Sequence, residues 1–226
     1  MRYLVLALAA LGLSVLLNGC TCDDGNEAKG EGISEGGRKA KEEGKGKEGR
    51  KGEAERKVKD EGKGSSGFVL RVDAGADKEY VDQSGTKWLP DQEFSEGKQY
   101  GAVGGKTVLR TGIKTVEGTK APQVYLTERY EMSAYRFAVP KGEYKVRLHF
   151  AETYEGITGA GERVFGVRIN GQTVLKELDV FKETKALAKP LVKEFNKVQV
   201  ADGKLLIEFV PQVQNAEING IEIMGE

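Results

Sequence analysis

The chain has 226 residues, room for one domain with appendages, since a single core takes about 100–200 residues. Lys plus Arg equals Asp plus Glu at 35 each, so no net field gathers phosphate backbones or anionic lipid, which sets nucleic acid aside as a partner. The two cysteines, Cys20 and Cys22, both sit near the amino terminus, so no disulfide staples the remainder.

Met1 and Arg2 open the chain, and Tyr3 to Leu17 follow as a mostly apolar run. That run is shorter than the roughly 20 residues of a membrane span and matches a secretory h-region, so residues 1–19 read as a signal peptide. It ends in Leu17-Asn18-Gly19-Cys20, which resembles the bacterial lipobox. The resemblance implies that Cys20 receives lipid, becomes the mature first residue and anchors the protein to the cell envelope. Thr21 follows, and lipoproteins of double-membraned bacteria without Asp at that place resemble those sent to the outer membrane. The alternative is an ordinary signal peptide cut near Gly19, with Cys20 an incidental thiol. Cys22 has no assigned role.

Residues 20–66 form a second region. From Asp23 to Ser66 the composition is Gly, Glu, Lys and Arg in mixed order, with Ile33 and Val58 the only aliphatic side chains larger than Ala and no aromatic. Such a segment cannot bury enough surface to offset the entropy of ordering it, and its glycines oppose a helix. A disordered linker is expected, with a root-mean-square reach of about 35–40 Å. Its role reads as a spacer from the membrane, the rival being a polyampholyte that touches envelope polysaccharide.

From Gly67 to Glu226 short apolar runs of period two alternate with turn residues, the pattern of an all-β fold. In Glu143 to Phe150, Tyr144, Val146, Leu148 and Phe150 share one face and Lys145, Arg147 and His149 the other. His149 therefore reads as a surface or groove residue, and as the only histidine it has no partner for a metal site or a triad. Phe165, Val167 and Ile169 alternate in the same way before Asn170-Gly171, a tight-turn pair leading to Gln172–Leu175. Asp202-Gly203 predicts a second hairpin between 195–200 and 205–210. Ile218 to Met224 predicts the last strand. Glu183 to Ala188 suits one helical turn, and Trp88 reads as a core anchor.

Five segments in order resemble the malectin family: Val72-Asp73-Ala74-Gly75, Leu126-Thr127-Glu128-Arg129-Tyr130, Leu148 to Tyr154, Arg163 to Gly171, and Leu178-Asp179-Val180-Phe181. The resemblance spans about Val69 to Met224, with Thr-Glu-Arg-Tyr and the His-Phe-Ala-Glu strand its most specific parts. It implies an antiparallel β-sandwich of jelly-roll, galactose-binding-like character, and glycan binding of the kind by which the eukaryotic member holds glucose-containing glycans.

The family's sugar site is lined by loop aromatics with a carboxylate nearby. Matched residue by residue, the aromatics fall on Tyr100, Tyr130 and Tyr154. Glu155 replaces a further aromatic, and Asn215 stands about where the acidic residue is found. A pyranose offers a face of C–H groups and an equator of hydroxyls. Tyrosine supplies both a ring to stack and a hydroxyl to bond, while Asn215 and Glu155 add polar partners. The implied ligand is a neutral oligosaccharide, bound with a dissociation constant of about micromolar to millimolar.

Each tyrosine has a packing alternative, strongest for Tyr130. Adjacent strand positions point to opposite faces, so Glu128 and Arg129 read as structural ion-pair or loop-bonding groups and not as an acid with its charge partner. Ala102-Val103-Gly104-Gly105 lacks the following Lys-Ser or Lys-Thr and reads as a turn. No cofactor or metal is implied and no catalytic arrangement stands out, although Glu128, Glu152, Glu155 and Asp179 are numerous enough to offer a carboxylate pair. A non-catalytic protein-interaction module in an envelope assembly is the second functional reading.

Overall fold

A computed structural model of the protein describes residues 65–226. The expected signal peptide, the lipidated Cys20 and the linker as far as Gly64 lie outside the described residues. In chain order the strands begin with β1 (Val69–Asp73), β2 (Tyr80–Val81), β3 (Lys87–Trp88), β4 (Tyr100–Val103) and β5 (Lys106–Leu109). After a 3-10 turn at Pro122–Tyr125 come β6 (Thr127–Tyr130), β7 (Ala134–Ala138), β8 (Gly142–Phe150), β9 (Val164–Ile169) and β10 (Gln172–Leu178). The helix α1 (Val180–Thr184) precedes β11 (Leu191–Val200), β12 (Lys204–Val213), β13 (Glu217–Ile218) and β14 (Gly220–Gly225).

Two antiparallel sheets, β1-β14-β8-β11 and β10-β9-β12-β7-β4, enclose the core of a β-sandwich. The alternation in β8 is the clearest cause: Tyr144, Val146, Leu148 and Phe150 are all fully buried. They meet Phe165, Val167 and Ile169 of β9 and Leu205, Ile207 and Phe209 of β12 in one apolar cluster. Phe150 and Phe165 bridge the sheets with ring centroids 5.9 Å apart. A short third sheet, β13-β6-β5, stands at one end with β5 on its edge.

Asn170 and Gly171 take positive φ values of 48° and 77° and join β9 to β10 as a hairpin. Asp202-Gly203 does not make one. Gly203 has φ 81°, but β11 pairs with β8 in one sheet and β12 with β7 and β9 in the other. The turn is a corner between layers, because turn chemistry fixes a reversal of the chain and not the partner of the strand that follows. The last strand is also split. Asn219 is fully buried. Its Oδ1 accepts from Ala151 N at 2.6 Å and its Nδ2 donates to Thr127 O at 2.7 Å, so the chain leaves β6 and joins β8 at that residue.

His149 is buried, not surface or groove lining. A second apolar cluster of Trp88, Val116, Ala121, Val124, Tyr125 and Ala151 covers this end of the outer face of β8. Trp88 packs edge-on to the imidazole at 5.3 Å, Tyr125 Oη lies 2.7 Å from Nδ1, and Glu222 Oε1 lies 2.9 Å from Nε2. Trp88 is accordingly a core anchor. The helical turn falls earlier than Glu183–Ala188, because Asp179 caps it: its Oδ1 accepts from Lys182 N at 2.8 Å, meeting one of the orphan amides of a helix start.

Candidate functional site

The site grows from the two-residue period of β6. Glu128 and Tyr130 point to one face of the β5–β6 ribbon, Thr127 and Arg129 to the other. Arg129 is sealed on its own side: Nε donates to Asp91 Oδ2 at 2.6 Å, and Nη1 donates to Glu93 Oε1 at 2.6 Å and Gly104 O at 2.9 Å. It ties the 91–104 loop to the sheet, and the pair at Glu128 and Arg129 is thus split between faces. Gly104 and Gly105, with φ 69° and 92°, make the turn from β4 to β5.

On the other face lies a cleft of about 280 Å³ lined by Arg110, Glu128, Tyr130, Tyr154, Arg163 and Asn215 among others. Four stretches of chain contribute to it: β5 and the residue after it, β6, the segment between β8 and β9, and the turn before β13. Tyr154 is 46% exposed, and Arg110 Cζ stands 5.7 Å from its ring centroid, close enough for a cation–π contact. A Cβ added at Gly156 would stand 2.4 Å from Tyr154 Cε1, so the bare backbone there is what lets the ring lie down. Asn215 Nδ2 donates to Glu131 Oε1 at 3.0 Å, and its backbone carbonyl accepts from Arg163 Nη1 at 2.7 Å.

Below the aromatic rim is a buried charged layer. Glu128 Oε2 accepts from Thr153 Oγ1 at 2.5 Å and Arg110 Nη2 at 3.0 Å. Glu152 Oε2 accepts from Arg163 Nε at 2.8 Å while Oε1 accepts from the Tyr154 backbone N–H at 3.0 Å. One carboxylate thereby fixes the tyrosine loop to the cation. Burial lifts the pKa of Glu152 despite the pull of Arg163. Glu217, opposite Tyr130 in the β13–β6 pairing, is fully buried with neither carboxyl oxygen hydrogen-bonded. Burial pushes its pKa well above the usual carboxylate range, and the charges of Glu128 and Glu152 push the same way. Arg110 stands 3.0 Å from Glu128 and Arg163 stands 2.8 Å from Glu152, so the floor is built of two ion pairs beside the buried carboxyl of Glu217.

The structure brings Tyr130, Tyr154 and Asn215 together and leaves two expected members out. Tyr100 is 7% exposed. It stacks with Phe137 at 6.5 Å and donates its hydroxyl to Pro90 O at 2.7 Å. Facing inward from the start of β4, it is a core residue, so its expected place at the sugar site is corrected. Glu155 is exposed but does not line the cleft; its carboxylate lies beside Gly112 instead. Sequence reasoning passed over Arg110, Arg163 and Gly156. The cations carry no local signal, and only the Leu148–Tyr154 run followed by two small steps to Gly156 hints at a flattened loop. Among the described residues no three His, Cys, Asp or Glu side chains are placed to hold a metal ion.

The malectin domain profile matches residues 68–225. Malectin-B of Xenopus laevis is 33% identical over 38% of this chain and 36% of its own length. Malectin of Mus musculus is 30% identical over 52% of this chain and 45% of its own. The matched stretch therefore spans less than half the length of either relative. Among solved structures, a Bacteroides uniformis β-glucuronidase superposes with a TM-score of 0.64 at 28% identity, over 71% of this chain and 18% of that one. The extracellular domain of ANXUR1 from Arabidopsis thaliana shares the fold with a TM-score of 0.57 at 20% identity, over 69% of this chain and 47% of that one.

Proposed function

We propose, starting from the fact that this chain belongs to the malectin domain family, that it is a lipid-anchored carbohydrate-binding protein of a bacterial envelope. It binds a neutral oligosaccharide in the cleft between Tyr130 and Tyr154. The family supplies the carbohydrate-binding role. The convergence of Tyr130, Tyr154 and Asn215 from three distant segments on one cleft is the single observation that supports the location. Tyr154 offers an exposed ring for the C–H face of a pyranose, Arg110 holds that ring and presents N–H donors, and Asn215 adds an amide at the opposite wall. Both cations beneath the cleft are already engaged by carboxylates, which leaves neither unpaired for an acidic ligand. Anchoring at Cys20 and export by the signal peptide complete the reading, from the lipobox resemblance alone.

The test is a calorimetric titration of the full chain with maltose and cellobiose. Binding at about micromolar to millimolar strength, weakened tenfold or more by Tyr154→Ala with an unchanged melting temperature, is expected. No binding to either sugar or to any glycan on an array, with a stoichiometric protein partner captured instead, would replace this reading with the interaction-module one.

A further inference from the structure

The other face of the β5–β6 ribbon carries a second cleft. Thr107 and Leu109 of β5 and Thr127 of β6 line it, across from Tyr80, Gln123 and Asp73, in a space of about 500 Å³. Its chemistry repeats what a pyranose needs: an aromatic ring, apolar side chains, an amide and hydroxyls. Leu109 is 55% exposed. Asp73, at the floor, is 1% exposed. Its Oδ1 accepts from Thr127 Oγ1, while Oδ2 has no hydrogen-bond partner. That oxygen is closed to solvent, so Asp73 acts through Thr127, whose hydroxyl it holds in place on the wall of the cleft.

The two clefts are neighbours. Val108 lines both, and β5 between them is the edge of its sheet, where backbone groups not paired with β6 can meet a ligand, apart from Leu109 O, which accepts from Thr111 N at 3.1 Å. We propose that the second cleft is a further saccharide subsite, and that the glycan crosses the edge of β5 as a chain of several sugars spanning both clefts. This rests on the carbohydrate-binding reading and extends it from a terminal sugar to the interior of a chain. Tyr80, Leu109 and Gln123 make the added contacts, and Asp73 acts as a positioning residue beneath them.

The experiment is a titration of the full chain with maltose and maltohexaose, and in parallel with cellobiose and cellohexaose. A hexasaccharide offers about five disaccharide registers, so statistics alone tighten binding about fivefold. The expected gain exceeds tenfold for at least one series. Leu109→Ala with Gln123→Ala should return that gain to the statistical limit while leaving disaccharide affinity unchanged, since Leu109 is exposed and neither side chain lines the first cleft. Tyr154→Ala should weaken both lengths alike. A hexasaccharide gain within fivefold, or a larger gain that survives the double substitution, overturns the subsite while disaccharide binding upholds the first cleft. Absence of binding by every sugar overturns both.

Discussion

Between the two sheets Leu148, Phe150, Phe165 and Ile207 are shut away from water, and so, at one end of the same fold, are Glu128, Glu152 and Glu217. The first region is dry because burying apolar surface is favourable at about 25 cal/mol per Å². The second is dry at a cost, since each charge must be met by Arg110 or Arg163 or given up by protonation. A fold does not need such a layer for stability. It lies directly under the cleft lined by Tyr130, Tyr154 and Asn215, while a second buried ion pair, Arg129 with Asp91, fills the opposite face of β6.

The largest expected effects fall where each region is most tightly packed. Phe165→Ala should destabilise by about 3–5 kcal/mol, as large-to-small core changes do, read as a shifted denaturation midpoint. Arg163→Met should cost a similar amount, about 3–5 kcal/mol, because Glu152 is left buried without its cation. The two then part: adding Glu152→Met to Arg163→Met should restore much of the loss, whereas no neighbouring substitution of that kind rescues Phe165→Ala. Failure of the second substitution to help would show that the charged layer packs as specifically as the apolar one.

Acidity sharpens the contrast next. Burial, offset in part by the Thr127 bond and aided by the Asp91 charge, raises Asp73 from 3.8 to about 7. A raised folded-state value means the unfolded chain releases its proton first, so stability is full below pH about 4 and is lost as pH climbs to about 7. Glu217 and Glu152 act in the same direction. Glu222 acts in the opposite one: burial alone would raise it, but bonds from His149 and Arg71 bring it down from 4.5 to about 2, so its contribution disappears only as pH falls through that range. Stability should peak at about pH 4–5. Asp73→Asn should gain about 2–4 kcal/mol at pH 8 and almost nothing at pH 3, measured by urea unfolding at both. An equal change at the two values would mean that Asp73 ionises freely.

Smaller effects separate loop from core. Gly156→Ala should leave the melting temperature within about 1–2 °C, yet weaken sugar binding several-fold, because the new methyl group displaces the Tyr154 ring. If affinity is untouched, the ring's resting position is irrelevant to binding.

What the sequence made legible follows the same division. Strict alternation in Tyr144–Phe150 and Phe165–Ile169 predicted the sandwich, because every second residue meets the same apolar neighbour. The site was legible only in part. Tyr130 and Tyr154 could be placed by resemblance, but Tyr100 shows the limit, since an aromatic beside glycine in a turn-rich stretch looks the same whether its ring stacks on Phe137 or on a ligand. His149 misled for a related reason: alternation assigns it to the outer face, and only the distant packing of Trp88 and Tyr125 makes that face an interior one. Glu217 was invisible, because a single glutamate gives no sign that two others will be folded beside it.

If the cleft holds a saccharide, Tyr130 and Tyr154 meet it while the inward tyrosines do not. The chain has eight tyrosines, so ring-labelled tyrosine NMR during titration with maltose and maltohexaose reads the claim directly. The signals of Tyr130 and Tyr154 should move in step with saturation, while those of Tyr100 and Tyr144 stay fixed. Ring signals that never move, or movement centred on Tyr100 with Tyr154 still, would contradict it.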